Sequence, residues 1–185
     1  MQGLEETVFT GYDRLQDNAE IIALAGEDGA CDEAVEGQDI RIFLNKTPFY
    51  AEGGGQVSDK GILSTESGKA QVYAVEKNDG IISHSCHVIE GVIKTGDMAD
   101  CRVDTVKRNL TARNHTATHL LQKALREVLG DHVQQAGSSV NESVLRFDFN
   151  HFEAVSQQQL KEVEEKVNNK INEFLPVNVS QMSIE

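Results

Sequence analysis

Near Asp104 the hydrophobic period of this 185-residue chain changes, and that change limits the folds open to it. Before it, apolar and polar residues alternate, the spacing that gives a strand one buried face. Residues 39–45 (DIRIFLN) put Ile40, Ile42 and Leu44 on one side. Residues 69–77 (KAQVYAVEK) and 80–88 (GIISHSCHV) flank Asn78-Asp79-Gly80, a tight hairpin signal. Shorter runs at 19–29, 56–64 and 97–106 add further strands. Short strands at close intervals predict a small antiparallel barrel or sandwich.

After Asp104 the spacing becomes helical. Ala117, Leu120, Leu121, Ala124, Leu125 and Val128 form one stripe, and Gly130 supplies a stop. Residues 132–140 and 143–149 read as a strand pair joined near Asn141-Glu142. Leu160, Val163, Val167, Ile171 and Phe174 form a second stripe, with Ser156 as its cap and Pro176 as its end. Residues 177–185 (VNVSQMSIE) read as a last strand. The expected architecture is therefore α+β. A small antiparallel β-barrel-like domain spans 1–104, and an α+β domain with helices packed on an antiparallel sheet spans 105–185.

Composition narrows the class. No apolar run reaches the length of a membrane span, and the first residues lack the basic-then-apolar pattern of a secretory signal. Three well-separated cysteines (Cys31, Cys86, Cys101) do not form a disulfide framework, so a reducing, cytoplasmic setting is expected. The net charge of −13 argues against a nucleic-acid partner, but it is uneven. Residues 1–40 hold eleven acids against Arg14 alone, whereas 104–129 carry Lys107, Arg108, Arg113, Lys123 and Arg126 against Asp104 and Glu127.

That locally basic segment contains HTATH, with His115 and His119 four residues apart. Helical spacing stacks them on one face, about 160° and 200° from Ala117 and so away from the apolar stripe. Packing and half of a metal site both remain open for the pair. Thr116 stands where a zinc protease has its glutamate, which removes the proteolytic reading. His84, Cys86 and His87 read as an ordinary strand with a buried thiol, and His132 and His151 as isolated histidines. The second unusual stretch, TPFYAEGGGQVSDKG (47–61), has three consecutive glycines. They suit a tight turn or bulge, or a bare backbone holding a phosphate or terminal ribose. The run is neither a P-loop nor a dinucleotide fingerprint.

Taken in order, EGGGQ (52–56), RNHTATHLLQKALREVLG (113–130), HVQQAGSSV (132–140) and LRFDFNHF (145–152) resemble the editing region of alanyl-tRNA synthetases. FTGYDRL (9–15) resembles the segment leading into it, which favours the synthetase over free-standing editing hydrolases. Threonyl-tRNA synthetases carry a related module without the EGGGQ barrel. The resemblance implies hydrolysis of serine or glycine wrongly esterified to tRNA(Ala), at a zinc site. A pocket for alanine cannot reject such near-isosteres by binding alone, so a second site must. It further implies His115 and His119 as two zinc ligands, Thr118 beside the substrate's side chain, and Gln135 positioning substrate or water. Gly53, Gly54, Gly55 and Gln56 would meet the tRNA acceptor end. Lys107, Arg108 and Arg113 would steer phosphates, while Arg146 and Asp148 would brace the site or form a plain surface ion pair. The family's second ligand pair, C-x-x-x-H, is absent from the sequence, so the resemblance also implies a piece of a longer enzyme. ATP-dependent alanine ligation and dimerisation would then reside in the remaining domains of the same synthetase. The competing expectations are a free-standing editing hydrolase and a non-catalytic tRNA-binding module.

Overall fold

The computed structural model describes residues 4–178. Among these, the elements run β1 (Val8–Phe9), β2 (Gln16–Gly26), β3 (Gly29–Cys31), β4 (Glu33–Val35), β5 (Asp39–Leu44), β6 (Lys46–Thr47), β7 (Gly61–Ser64), β8 (Gly68–Asn78), β9 (Ile81–Lys94) and β10 (Met98–Val103). Then come α1 (Thr105–Leu129), β11 (Gln135–Val140), β12 (Leu145–Phe149) and α2 (Gln157–Asn172). No described helix is long and apolar enough to cross a membrane.

The strands up to residue 103 build a barrel. β10, β7, β8, β9, β5 and β2 pair in that order, all antiparallel, and β2 pairs back to β10 to close the ring. Closure removes the open edges that a flat sheet would expose. Alternating residues point inward, and Ile21, Leu24, Ile42, Leu44, Leu63, Val72, Val75 and Ile82 are fully buried there. The Asn78-Asp79-Gly80 signal forms the expected hairpin. Asn78 pairs with Ile81, and Asp79 and Gly80 take φ of 48° and 82°, as a turn matched to strand twist requires.

The run 19–29 is a strand ending in a turn, as expected: β2 stops at Gly26 and turns at Glu27-Asp28 into β3. Elsewhere the barrel departs from the sequence pattern. Only Gly61–Ser64 of 56–64 enters the barrel, because Val57 instead bonds to Val140 of β11. The pairs β1–β6 and β4–β9 involve strands of two or three residues, too short for a periodic signal.

His84 is the barrel's buried histidine. Its Nε2 lies 2.8 Å from Thr47 Oγ1 and its Nδ1 3.0 Å from the Ile42 carbonyl. A neutral ring satisfies both contacts, donating at Nδ1 and accepting at Nε2. Cys86, on the same strand, is buried as an inert thiol whose pKa burial pushes up. His87 points outward to Asp39, 2.9 Å away.

The helices cap as expected, with changes at their ends. Asp104 accepts from the Lys107 N–H at the start of α1, and Gly130 follows its last turn with φ of 117°. Ser156 and Gln159 form a reciprocal capping box on α2. Phe174 does not belong to the second stripe. α2 stops at Asn172, Phe174 takes φ of 50°, and its ring is 88% exposed, so the stop precedes Pro176. Val177 and Asn178 are not in a strand, and the rest of the expected last strand (179–185) lies outside the described residues. Behind α1 the β11–β12 hairpin turns at Asn141, whose side chain accepts from the Ser143 and Val144 N–H groups. Ala124, Leu125, Val133 and Val163 form a small second core.

Burial holds the His84 pKa down at about 4, below its ordinary 6.5. The unfolded chain therefore binds the extra proton first, and stability falls as pH drops from 6.5 toward 4. At about 1.4 kcal/mol per pKa unit the full loss is on the order of 3 kcal/mol. Urea midpoints measured between pH 7 and 5 should fall, and His84→Leu should flatten that slope.

Candidate functional site

The structure brings the glycine run and the histidine pair together at the seam between barrel and helix. Gly53 and Gln56 exchange backbone hydrogen bonds of 3.2 and 3.0 Å, closing a tight turn over Gly54 and Gly55. Both central glycines have positive φ, 60° and 79°, where a side chain is strained. The run is thus a turn. Its far side is stitched to the hairpin, with Val140 N–H donating to the Gly55 carbonyl at 2.7 Å and Val57 N–H to the Val140 carbonyl at 3.0 Å. A Cβ on Gly55 would sit 2.7 Å from the Ser138 carbonyl oxygen, whereas Gly54 faces open space.

Gln56, only 6% exposed, leaves this turn and reaches α1, where its Oε1 lies 2.6 Å from His115 Nδ1. His115 is half-buried, and His119 is exposed one turn further on, with ring centroids 5.1 Å apart and planes within 20°. Desolvation, and then the neighbouring His119, lower the His115 pKa, so its ring is neutral at neutral pH. Two imidazoles so placed fit half of a zinc site. No group of three or more metal-ligating side chains occurs among the described residues.

Other expected residues fall nearby or elsewhere. Gln135 sits at the rim, donating at 2.9 Å to Ser138 Oγ, beside Gly55. Thr118 is 7% exposed, on a buried line with Thr111 and Leu125, and its hydroxyl donates to the Asn114 carbonyl at 2.9 Å. The buried face of α1 thus takes in Thr111 and Thr118 beside the Ala124 and Leu125 part of the apolar stripe. Ala117 and Leu120 instead flank a groove of about 840 Å³ against the end of α2, and Arg113 lines that groove too. Arg113 is two residues from His115, about 200° around the helix, so it does not share the histidine face. Arg146 and Asp148 form an exposed ion pair at 2.6 Å, which holds the carboxylate pKa down.

Arg108 is not available to phosphates. Its guanidinium pairs with Asp59 and donates to the Gly11 and Pro48 carbonyls, both at 2.8 Å. Asp59 also accepts from the Tyr50 N–H at 2.7 Å, and the two side chains are 11% and 6% exposed. This clasp had no sequence signal, since its members lie 49 residues apart in unremarkable runs. Nor are His132 and His151 isolated. They meet at 2.8 Å, nitrogen to nitrogen, with the exposed Phe152 ring stacked on His132.

Residues 2–107 match the family model of class II tRNA synthetases (A). The chain is 47% identical over 180 residues to an alanine–tRNA ligase of Thermotoga maritima, covering 97% of the chain and 21% of that protein. Alanine–tRNA ligases of Petrotoga mobilis and Listeria monocytogenes are each 45% identical, over 98% and 97% of the chain. The chain belongs to the alanyl-tRNA synthetase family of class II aminoacyl-tRNA ligases. It spans about 21% of the length of these relatives.

Two stability outcomes follow from this geometry. Arg108→Ala leaves Asp59 buried without its partner and should cost about 3–5 kcal/mol in urea unfolding, with Arg108→Lys only a partial rescue. Gly54→Ala should cost about 1–2 kcal/mol from the left-handed backbone alone. Gly55→Ala should cost more and speed hydrogen exchange at the Val57 and Val140 amides, because the added methyl displaces Ser138.

Proposed function

We propose that this chain is the editing portion of an alanyl-tRNA synthetase. In this reading it hydrolyses the ester linking serine or glycine to tRNA(Ala). The observation that carries the reading is the contact of Gln56 with His115. It joins the EGGGQ and HTATH motifs at one accessible seam, in a chain of the alanine–tRNA ligase family. The chemistry needs such a second site, since a synthetic pocket cannot exclude glycine by size and rejects one added hydroxyl poorly.

Each side chain then takes a role. The barrel-like domain and the α+β domain supply the two walls, and the acceptor end lies between them. His115 and His119 hold zinc through their imidazole nitrogens. The metal, when bound, polarises the ester carbonyl or lowers the pKa of a bound water. Gln135 at the rim orients the water, its amide already set by Ser138. The N–H groups of Gly54 and Gly55 face the terminal ribose and phosphate, with no side chain to keep the strand away, while that of Gly53 closes the turn on the Gln56 carbonyl. The Thr118 hydroxyl has spent its proton on Asn114, so toward substrate it acts only as an acceptor. Lys107 and Arg113 attract the tRNA phosphates from outside the seam, and Arg146 with Asp148 stiffens the hairpin behind it. Alanine ligation with ATP belongs to the other domains of the same synthetase, in the cytoplasm, where the unpaired thiols of Cys31, Cys86 and Cys101 are stable.

The test is deacylation of Ser-tRNA(Ala) against Ala-tRNA(Ala) by the intact synthetase, native and with His115→Ala and His119→Ala. Faster hydrolysis of the serine ester, abolished by either substitution with aminoacylation retained, is expected. Equal rates for the two esters overturn the reading. Salt-sensitive tRNA binding without hydrolysis in any form would mark a binding module instead. The 185-residue chain alone should retain zinc weakly. Elemental analysis after dialysis should find far less than one zinc per chain, because two imidazoles make an incomplete site.

A further inference from the structure

We infer that Gln56 is a positioning residue that sets the tautomer of His115. By accepting a hydrogen bond from the His115 Nδ1–H it leaves the Nε2 lone pair free toward the seam. The inference rests on the editing reading for its purpose, but its geometry stands apart from it.

The contact is short, 2.6 Å, and the amide oxygen, not the nitrogen, faces the ring. A carbonyl oxygen has no proton to give, so Nδ1 must carry one. In a neutral imidazole the other nitrogen is then bare. A solvated imidazole favours the opposite tautomer, with the proton at Nε2, which would be useless for binding a cation or accepting a proton at the seam. Gln56 reverses that preference.

Gln56 can do so because it cannot swing away. Its backbone closes the glycine turn, its side chain is 6% exposed, and the turn is bonded on both sides of Val140. The acceptor therefore arrives preorganised from the barrel, while the histidine arrives from the helix. Such an outer contact orients a ligand and raises its basicity, and its loss typically costs about 10–100-fold in metal affinity. The contact also explains why the glycine run ends in glutamine. The turn needs two glycines for its backbone, and the residue that closes it needs a neutral acceptor of this length.

Long-range proton–nitrogen NMR on the nitrogen-15-labelled 185-residue chain at neutral pH reads the tautomer directly, without metal. The His115 signals are assigned by their loss in His115→Asn. Native chain is expected to show the Nδ1-protonated form. Gln56→Leu should revert His115 to mainly Nε2–H with the barrel amide spectrum intact, and Gln56→Glu, which keeps an acceptor, should hold the native tautomer. An Nε2-protonated ring in the native chain, or no change in Gln56→Leu, overturns the inference. Zinc titration of the intact synthetase and its Gln56→Leu form serves as a second readout, expected to show weakening of about 10–100-fold. A tautomer that responds to Gln56 with no zinc bound by either protein sustains the positioning role and sinks the metal reading alone.

Discussion

The Arg108–Asp59 clasp is the interaction on which the rest of the structure depends. One guanidinium engages a carboxylate and two carbonyls from separate barrel segments, and the same carboxylate holds the Tyr50 amide. Arginine suits this because its planar fork offers five donors in fixed directions. Burying the pair costs desolvation that the Coulomb attraction only partly returns, so its main contribution is to specify geometry. Pinned there in its first turn, α1 can leave the barrel along one direction only. His115 lies seven residues on, about 10 Å along the axis, and so arrives beside Gln56.

The site itself is divided between two kinds of structure, and each contributes what it does well. A closed barrel is rigid, and its glycine turn presents backbone N–H groups with no side chain above Gly54. A long helix stacks two imidazoles at fixed spacing, 5.1 Å apart. The β11–β12 hairpin locks the two together through Val140 and brings Gln135 and Ser138 to the same rim. Charge follows the same division: the first forty residues are strongly acidic, whereas α1 is basic.

Much of the fold was legible because the signals were local. Alternation marked the barrel strands, Asp79-Gly80 marked a turn whose positive φ values those residues tolerate, and Ser156 marked a helix start. The misreadings arose where a distant partner overrode local pattern. Val57 abandons the barrel for Val140. Phe174 has the right spacing for the second stripe but falls beyond the helix, in a left-handed conformation. On α1 the apolar stripe supplies the second core through Leu121, Ala124, Leu125 and Val128, but Ala117 and Leu120 border a groove, and the buried Thr111 and Thr118 lie beside the stripe. Periodicity reports an apolar face and cannot say which neighbour that face will meet.

By itself the sequence determined the residue types and their spacing within each motif. It determined two histidines one helical turn apart, a turn that only glycines permit, and a family shared with alanine–tRNA ligases over nearly the whole chain. Only the tertiary structure decided which of these would touch. It placed Gln56 on His115 across 59 residues, committed Arg108 to Asp59 and not to solvent, set Arg113 in a groove against α2, and joined His132 to His151. The reason is one of range. Backbone dihedrals and side-chain period act over a few residues and leave a record there, whereas a hydrogen bond between segments depends on how whole elements dock, which no short stretch of chain encodes.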